Sequence, residues 1–329
     1  MIDLPLMAGL LQYVIRRLLF IIPVFLAVSI LTFLLTNAAG SPVKIIERGI
    51  HNLSKAQIAS LNAFYHVNEP VIVRYFYWLS DFLRGNLGQS LYGGSVAGQM
   101  LPWVTTTLEL QIAALIMSLG IGIPIGLYSA KHQYSKIDVT VTSASIVGYS
   151  IPVFLIGIFL IIVFSIDLHW LPGGGAVSPY PPYWWGSIYL DEIAHLILPT
   201  TALTIISVAV YVRLIRANVL EVLRQDYILA GRASGLSERA ITYKHALKNA
   251  ITPVVTVVGL TVAASLAGAP ATETVFSWPG LGYKFVTAAT NLDLPVVQGI
   301  TMVITIVALI FILVTDLAYA YLDPRVRLS

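Results

Sequence analysis

Arg16–Gly40 reads RRLLFIIPVFLAVSILTFLLTNAAG. Behind its two arginines run about twenty residues without a charge, the length that carries a helix across the hydrocarbon of a bilayer. The apolar region of a secretory leader is shorter, about 7–15 residues. The stretch is therefore expected to remain as a first transmembrane helix, and the rest of the chain should be built to match.

Composition agrees. Of 329 residues 57% are hydrophobic and only 11% charged, and the mean hydropathy is +0.83. A water-soluble domain carries about 25% charged residues, so there is too little polar surface here to cover a soluble globule. The expected class is an all-α polytopic membrane protein. Six spans are expected, at about 14–38, 106–129, 138–166, 193–215, 250–270 and 296–319. Pro23, Pro124, Pro152, Pro199 and Pro253 lie in or near them, breaks that membrane helices tolerate where neighbours satisfy the freed backbone.

The net charge of +3 does not call for nucleic acid; a mild basic excess in a membrane protein reflects loops held near anionic lipid. Arg16 and Arg17 precede the first span, Lys131 and Lys136 fill the loop after the second, and Arg325 and Arg327 follow the sixth. Between the fourth and fifth come Arg213, Arg216, Arg224, Arg232, Arg239, Lys244 and Lys248, whereas 167–192 has no Lys or Arg and 271–295 has only Lys284. The asymmetry places both termini in the cytoplasm, and the chain in the cell membrane. Three parts follow: a tail and first helix at 1–40, an extracytoplasmic segment at 41–105, and a five-helix core at 106–329 with a cytoplasmic loop at about 216–249. Within 41–105, HNLSKAQIASLNAFYHVNEP reads as an amphipathic helix ending near Asn68, and VIVRYFYWLSDFLRGNLGQSLY as a second helix closed by Gly85.

There is no cysteine, which excludes disulfides, thiolate metal sites and cysteine nucleophiles, and hints weakly at a hot or oxidising habitat. The histidines form no H-x-x-x-H pair, so no metal site is expected. A phosphate loop of the G-x-x-x-x-G-K-[ST] kind is missing, and GGGAVS at 173–178 has neither its lysine nor a preceding strand. Glu109, Asp138, Asp167 and Asp316 all sit near span ends. An ion-coupled secondary transporter would want ionisable residues at mid-membrane or matched repeats, and an intramembrane hydrolase a catalytic pair inside the spans; neither is visible.

The cytoplasmic loop is the densest basic region. Val219–Ser234 suits a helix, Gly235 can end it in the left-handed conformation, and Ser237 is a good N-cap for the next. Ala240, Ile241, Lys244 and Leu247 then recur at helical spacing, with Leu236 and Ile241 expected as an exposed apolar edge beside Arg239 and Lys244. Periodicity leaves two readings, a docking element or a solvated loop that only fixes topology.

The stretch DYILAGRASGLSERAITYKHALKNAITPVV, Asp226–Val255, resembles the cytoplasmic signature of ATP-binding-cassette importer permeases of the oligopeptide/dipeptide family. Further landmarks follow in order: RRLLFIIPVFLAVSILTF (16–33), GNLGQSLYGGSVAGQMLPWVTTTLEL (85–110), SIPVFLIGIFLIIVFS with LHWLPGGG (150–175), TETVFSWPGLG (272–282), DLPVVQG (293–299) and DLAYAYLDPRVR (316–327). The resemblance implies a type I importer permease fold and a transport role without catalysis in this chain. It places the contact with a partner ATPase at Ala230, Gly231, Arg232, Ala233, Ser234, Gly235, Leu236, Ser237, Glu238 and Arg239. Gly231 stands where the family usually has Ala, and Ser234 where it often has Lys; a helix-interior glycine costs about 0.5–1 kcal/mol relative to Ala.

The same resemblance implies a second, homologous permease subunit, two ATPase subunits that hold ATP and Mg, an extracytoplasmic substrate-binding protein and the membrane lipid. The cargo it implies is oligopeptides or dipeptides, with oligosaccharides, nickel or opines as alternatives. Thr204, Ser207, Thr256, Thr261 and Ser265 are candidates for lining the pathway, set against the ordinary role of small hydroxyl residues in helix packing.

Overall fold

The computed structural model describes residues 4–49, 54–179, 188–265 and 268–322. Among them there is no β-strand beyond an isolated bridge, Gln89 to Ser95. The helices are α1 (Leu4–Ala39), α2 (Pro42–Gly49), α3 (Lys55–Phe64), α4 (Val71–Leu83), α5 (Val96–Lys131), α6 (Lys136–Ser150) and α7 (Val153–Leu160), whose last turns widen into a π-type segment, Ile161–Asp167. Then come α8 (Ile188–Leu223), α9 (Asp226–Ala233), α10 (Glu238–Ala240), a second π-type segment at Ile241–Ala246, α11 (Leu247–Ala250), α12 (Thr252–Ser265), α13 (Pro270–Val275), α14 (Leu281–Thr290) and α15 (Leu294–Leu322).

Regions of α1, α5, α8 and α15 are long and apolar enough to cross a bilayer, and six spans result if two bent pairs each count as one. The third expected span, 138–166, is one of these: α6 and α7 meet at 95°. The reason is local. Ile151 takes an extended conformation ahead of Pro152, as the residue before a proline prefers. Pro23 and Pro199 by contrast sit inside α1 and α8 without ending them. The other bent pair joins Glu238–Ala250 to the helix from Thr252 at 42° and takes in the fifth expected span. α3 ends at Phe64, short of the expected Asn68, whereas α4 closes as expected, with Gly85 at a φ of +83°.

The chain divides into two compact units. One takes the described residues up to Thr105 and those from Lys284 on. In it α1 is held to α4 by Ser29 and Tyr75, whose hydroxyls lie 2.8 Å apart, and by the Phe33 ring 5.6 Å from both Tyr75 and Trp78. Gln298 of α15 donates to Thr36 Oγ1 of α1 at 2.6 Å. The buried Asp293 carboxylate accepts from Ser90 Oγ at 2.5 Å and from the Leu91 amide at 3.2 Å, tying down the loop before α5. Burial, and then the charge of Asp293, push the Tyr65 phenol above its ordinary pKa.

The other unit, Thr106–Tyr283, has two apolar centres. One gathers Leu110, Ile156, Leu160, Leu198, Ala202, Phe276 and Trp278; the other gathers Leu127, Ala130, Tyr211, Ile215, Val219, Ala250 and Val254. α5 meets α8 at Gly122 and Gly126. A methyl carbon on Gly126 would lie 2.8 Å from the Val212 carbonyl oxygen, and one on Gly122 2.9 Å from Tyr211 Cβ. Small residues four apart allow this approach, as they do between membrane helices generally. Where α5 gives way to α6, Arg216 of α8 grips the buried Asp138 with two hydrogen bonds, 2.6 and 2.8 Å, and Ser129 Oγ and the Tyr134 amide donate to the same carboxylate.

Candidate functional site

The loop between α8 and α12 folds as helix, turn, helix. α8 stops at Leu223, and α9 restarts after Gln225, so the single helix expected over Val219–Ser234 is two. α9 ends on Ser234, and Gly235 follows with a φ of +80°. The Leu236 amide reaches back to the Gly231 carbonyl at 3.1 Å and the Gly235 amide to Arg232 at 3.0 Å, an arrangement that satisfies the last carbonyls of a helix. Ser237 then caps the next helix by accepting from the Ala240 amide at 3.3 Å. These signals are local in sequence, which is why they could be read there.

Arg232 bridges the turn. Its Nε donates to Glu238 Oε1 at 2.8 Å and its Nη2 to Oε2 at 3.4 Å. Arg232 stands in the last turn of α9 and Glu238 in the first turn of α10, so each charge also faces the helix end that favours it.

The base of this element is anchored by a few buried side chains, and its tip is exposed. Ile228 holds α9 down at 1% exposure, and Ile241, Thr242 and Ala246 hold the following helix. Tyr227 Oη accepts from Asn249 Nδ2 at 2.8 Å, fastening the two arms. Ala230 and every residue from Arg232 to Arg239 are exposed, Leu236 at 43%, while Gly231 is half-buried. Ile241 corrects the expectation of an apolar edge made by Leu236 and Ile241: it faces inward at 1% exposure, because the helix presents that stripe to the unit's own interior. Leu236 remains the exposed apolar residue of the tip. Its Cδ1 would stand 3.2 Å from a methyl carbon added at Gly231, so glycine at this position seats Leu236 closely.

The candidate pathway residues spread along α8 and α12. Thr204 is buried, and its hydroxyl finds no partner among the described residues. Ser207 and Thr256 are half-buried. Thr261 Oγ1 donates to the Val257 carbonyl at 2.8 Å and accepts from Tyr211 Oη at 3.5 Å, and Ser265 donates to the Thr261 carbonyl at 2.7 Å. The structure thus brings Thr261 of α12 to α8 through Tyr211. It gives Thr261 and Ser265 the back-bonding of helix-packing hydroxyls.

Sequence reasoning passed over Glu273. It is fully buried in TETVFSWPGLG, where its carboxylate accepts from Thr107 Oγ1 at 3.0 Å, the Ala269 amide at 3.2 Å and the Tyr283 amide at 2.9 Å. Thr107 in turn accepts from the Leu281 amide at 2.7 Å, and Trp278 Nε1 donates to the Thr106 carbonyl at 2.8 Å. A glutamate amid glycines and proline in so charge-poor a chain was the available signal. Among the described residues no group of three or more His, Cys, Asp or Glu could hold a metal ion.

A helical chain of membrane-spanning segments with an anchored, exposed turn on one loop is a polytopic membrane protein. Residues 122–328 match the family model of the binding-protein-dependent transport system inner membrane component, and the chain belongs to that family. It is 37% identical to the oligopeptide transport system permease protein AppB of Bacillus subtilis (strain 168) over 318 residues, 96% of this chain and 99% of that protein. It is 37% identical to the dipeptide transport system permease protein DppB of Escherichia coli (strain K12) over 338 aligned residues, and 39% identical to a DppB of Alkalihalophilus pseudofirmus over 334, each alignment taking 96% of this chain and 99% of the relative.

Proposed function

We propose that this chain is the membrane subunit of an ATP-driven importer of oligopeptides or dipeptides, and that Arg232–Arg239 is the tip through which a partner ATPase moves it. The observation that carries the second part is the contrast between an exposed tip and a base locked by Ile228, Ile241 and the Tyr227–Asn249 bond. A push on such a tip is passed to α8 and α12 rather than absorbed by the loop. The peptide cargo is supported by the names of relatives that align along almost their whole length.

In this reading ATP and Mg are held by two partner ATPase subunits, a second, homologous permease completes the pathway, and an extracytoplasmic binding protein delivers the cargo. Both termini then face the cytoplasm, with 41–105 outside.

The test is uptake of labelled Ala-Ala into proteoliposomes holding the assembled transporter. Leu236→Asp should cut ATP-dependent uptake at least tenfold while the assembly still purifies intact, since that side chain is exposed and its replacement disturbs no core. Gly235→Pro should do the same, because proline cannot adopt the positive φ found there. Normal uptake by Leu236→Asp would refute the placement of the tip. Uptake of maltotriose in place of Ala-Ala would refute the peptide assignment.

A further inference from the structure

α4 sets four side chains on one face at the i, i+3, i+4, i+7 spacing of a helix: Arg74, Tyr77, Trp78 and Asp81. All four line a cavity of about 180 Å³ that also takes in Asn37 of α1 and His66. The cavity lies within one unit of the chain. It is smaller than the roughly 300–1,000 Å³ of pockets that hold drug-sized ligands.

The chemistry of that face is specific. Arg74 Nε is buried and has no acceptor among the described residues. A charged donor left unpaired away from water is costly, and the planar guanidinium fork suits a carboxylate or a phosphate. Asp81 stands two turns further on, about 10 Å along the axis, and supplies the opposite charge. Tyr77 and Trp78 lie between them, offering aromatic faces that attract an ammonium group. His66 stacks on Tyr77 with ring centroids 4.3 Å apart, which stiffens that wall.

We propose that this cavity binds a small zwitterion, its carboxylate or phosphate on Arg74 and its ammonium group toward Asp81. Arg74 and Asp81 offset one another, so a ligand of net charge zero with separated ends matches the site better than a plain anion or cation. Two sources share this chemistry, a free dipeptide and the headgroup of phosphatidylethanolamine. The site is distinct from the ATPase-coupling tip and does not rest on it.

The experiment uses the full chain with its sister permease and ATPases, without the binding protein, and measures binding of labelled Ala-Ala and of glycerophosphoethanolamine by equilibrium dialysis. Saturable binding of either is expected. For the dipeptide, N-acetylation or C-terminal amidation should weaken it at least tenfold. Arg74→Gln should abolish it, and in Asp81→Asn free and N-acetylated Ala-Ala should bind alike. Phosphatidylethanolamine retained through purification by the wild type but not by Arg74→Gln identifies the lipid source; Ala-Ala binding without such retention identifies the peptide. If Arg74→Gln does not assemble, the exposed Asp81→Asn carries the test alone. Binding of neither probe, equal binding of blocked and free dipeptide, or binding untouched by Asp81→Asn overturns the proposal.

Discussion

Glu273 is a buried carboxylate solvated by the protein in place of water. Its donors are neutral, a threonine hydroxyl and two backbone amides, and they come from residues 107, 269 and 283. Glu273→Gln keeps one acceptor oxygen but sets an amide NH₂ against an N–H, and should destabilise by about 1–3 kcal/mol, the usual effect of a buried unsatisfied donor. Glu273→Ala strands all three donors and should do worse. Thermal denaturation followed by size-exclusion chromatography ranks the two, and equal melting temperatures for both variants and wild type would refute this account. Arg216 and Asp138 are a different case, an ion pair with one deeply buried member. Arg216→Ala should cost about 3–5 kcal/mol by leaving a buried charge unpaired. The double variant Asp138→Asn with Arg216→Gln should recover part of that loss in the same assay.

At the scale of elements, two contacts decide how helices meet. Gly126 admits α8 to within 2.8 Å of where a methyl carbon would stand. Gly126→Leu should therefore force α5 and α8 apart at a cost of about 1–3 kcal/mol or more, seen as loss of monodisperse protein. The Arg232–Glu238 bridge should behave asymmetrically. The swapped pair Arg232→Glu with Glu238→Arg keeps opposite charges but sets each against the wrong helix end. Amide hydrogen exchange across Ala233–Ser237 should be faster in the swap than in wild type.

The sequence made these elements legible to different depths. Long apolar runs announce membrane helices because the bilayer demands an unbroken apolar length, and Gly235 with Ser237 announces a turn because capping is local. What eluded it depends on contacts between distant residues. Ile241 looks like part of an exposed edge until α9 and α11 are in place around it. Pro152 is a separate case: its break is local, at the extended Ile151, yet Pro23 and Pro199 look the same in sequence and do not end their helices. The Glu273 cradle is invisible because one of its donors, Thr107, lies 166 residues from it in sequence.

For the whole molecule, membership of the family makes the chain one component of a binding-protein-dependent transport system. The chain alone should show no ATP-dependent uptake in proteoliposomes, and full activity should return with partner subunits; uptake by the chain alone would contradict this. The right-angled pair α6–α7 has a consequence of its own. Each arm has 15 residues, about 22 Å of helix at 1.5 Å per residue, less where the turns are π-type. Neither arm alone matches the roughly 30 Å of hydrocarbon. Joined at 95°, their far ends stand roughly 30 Å apart by the same rise per residue. Counted as one span, the two arms reach across the membrane to an extent set by the angle between them. Transport should then depend on acyl-chain length, peaking in lipids that match this reach and falling in thicker bilayers.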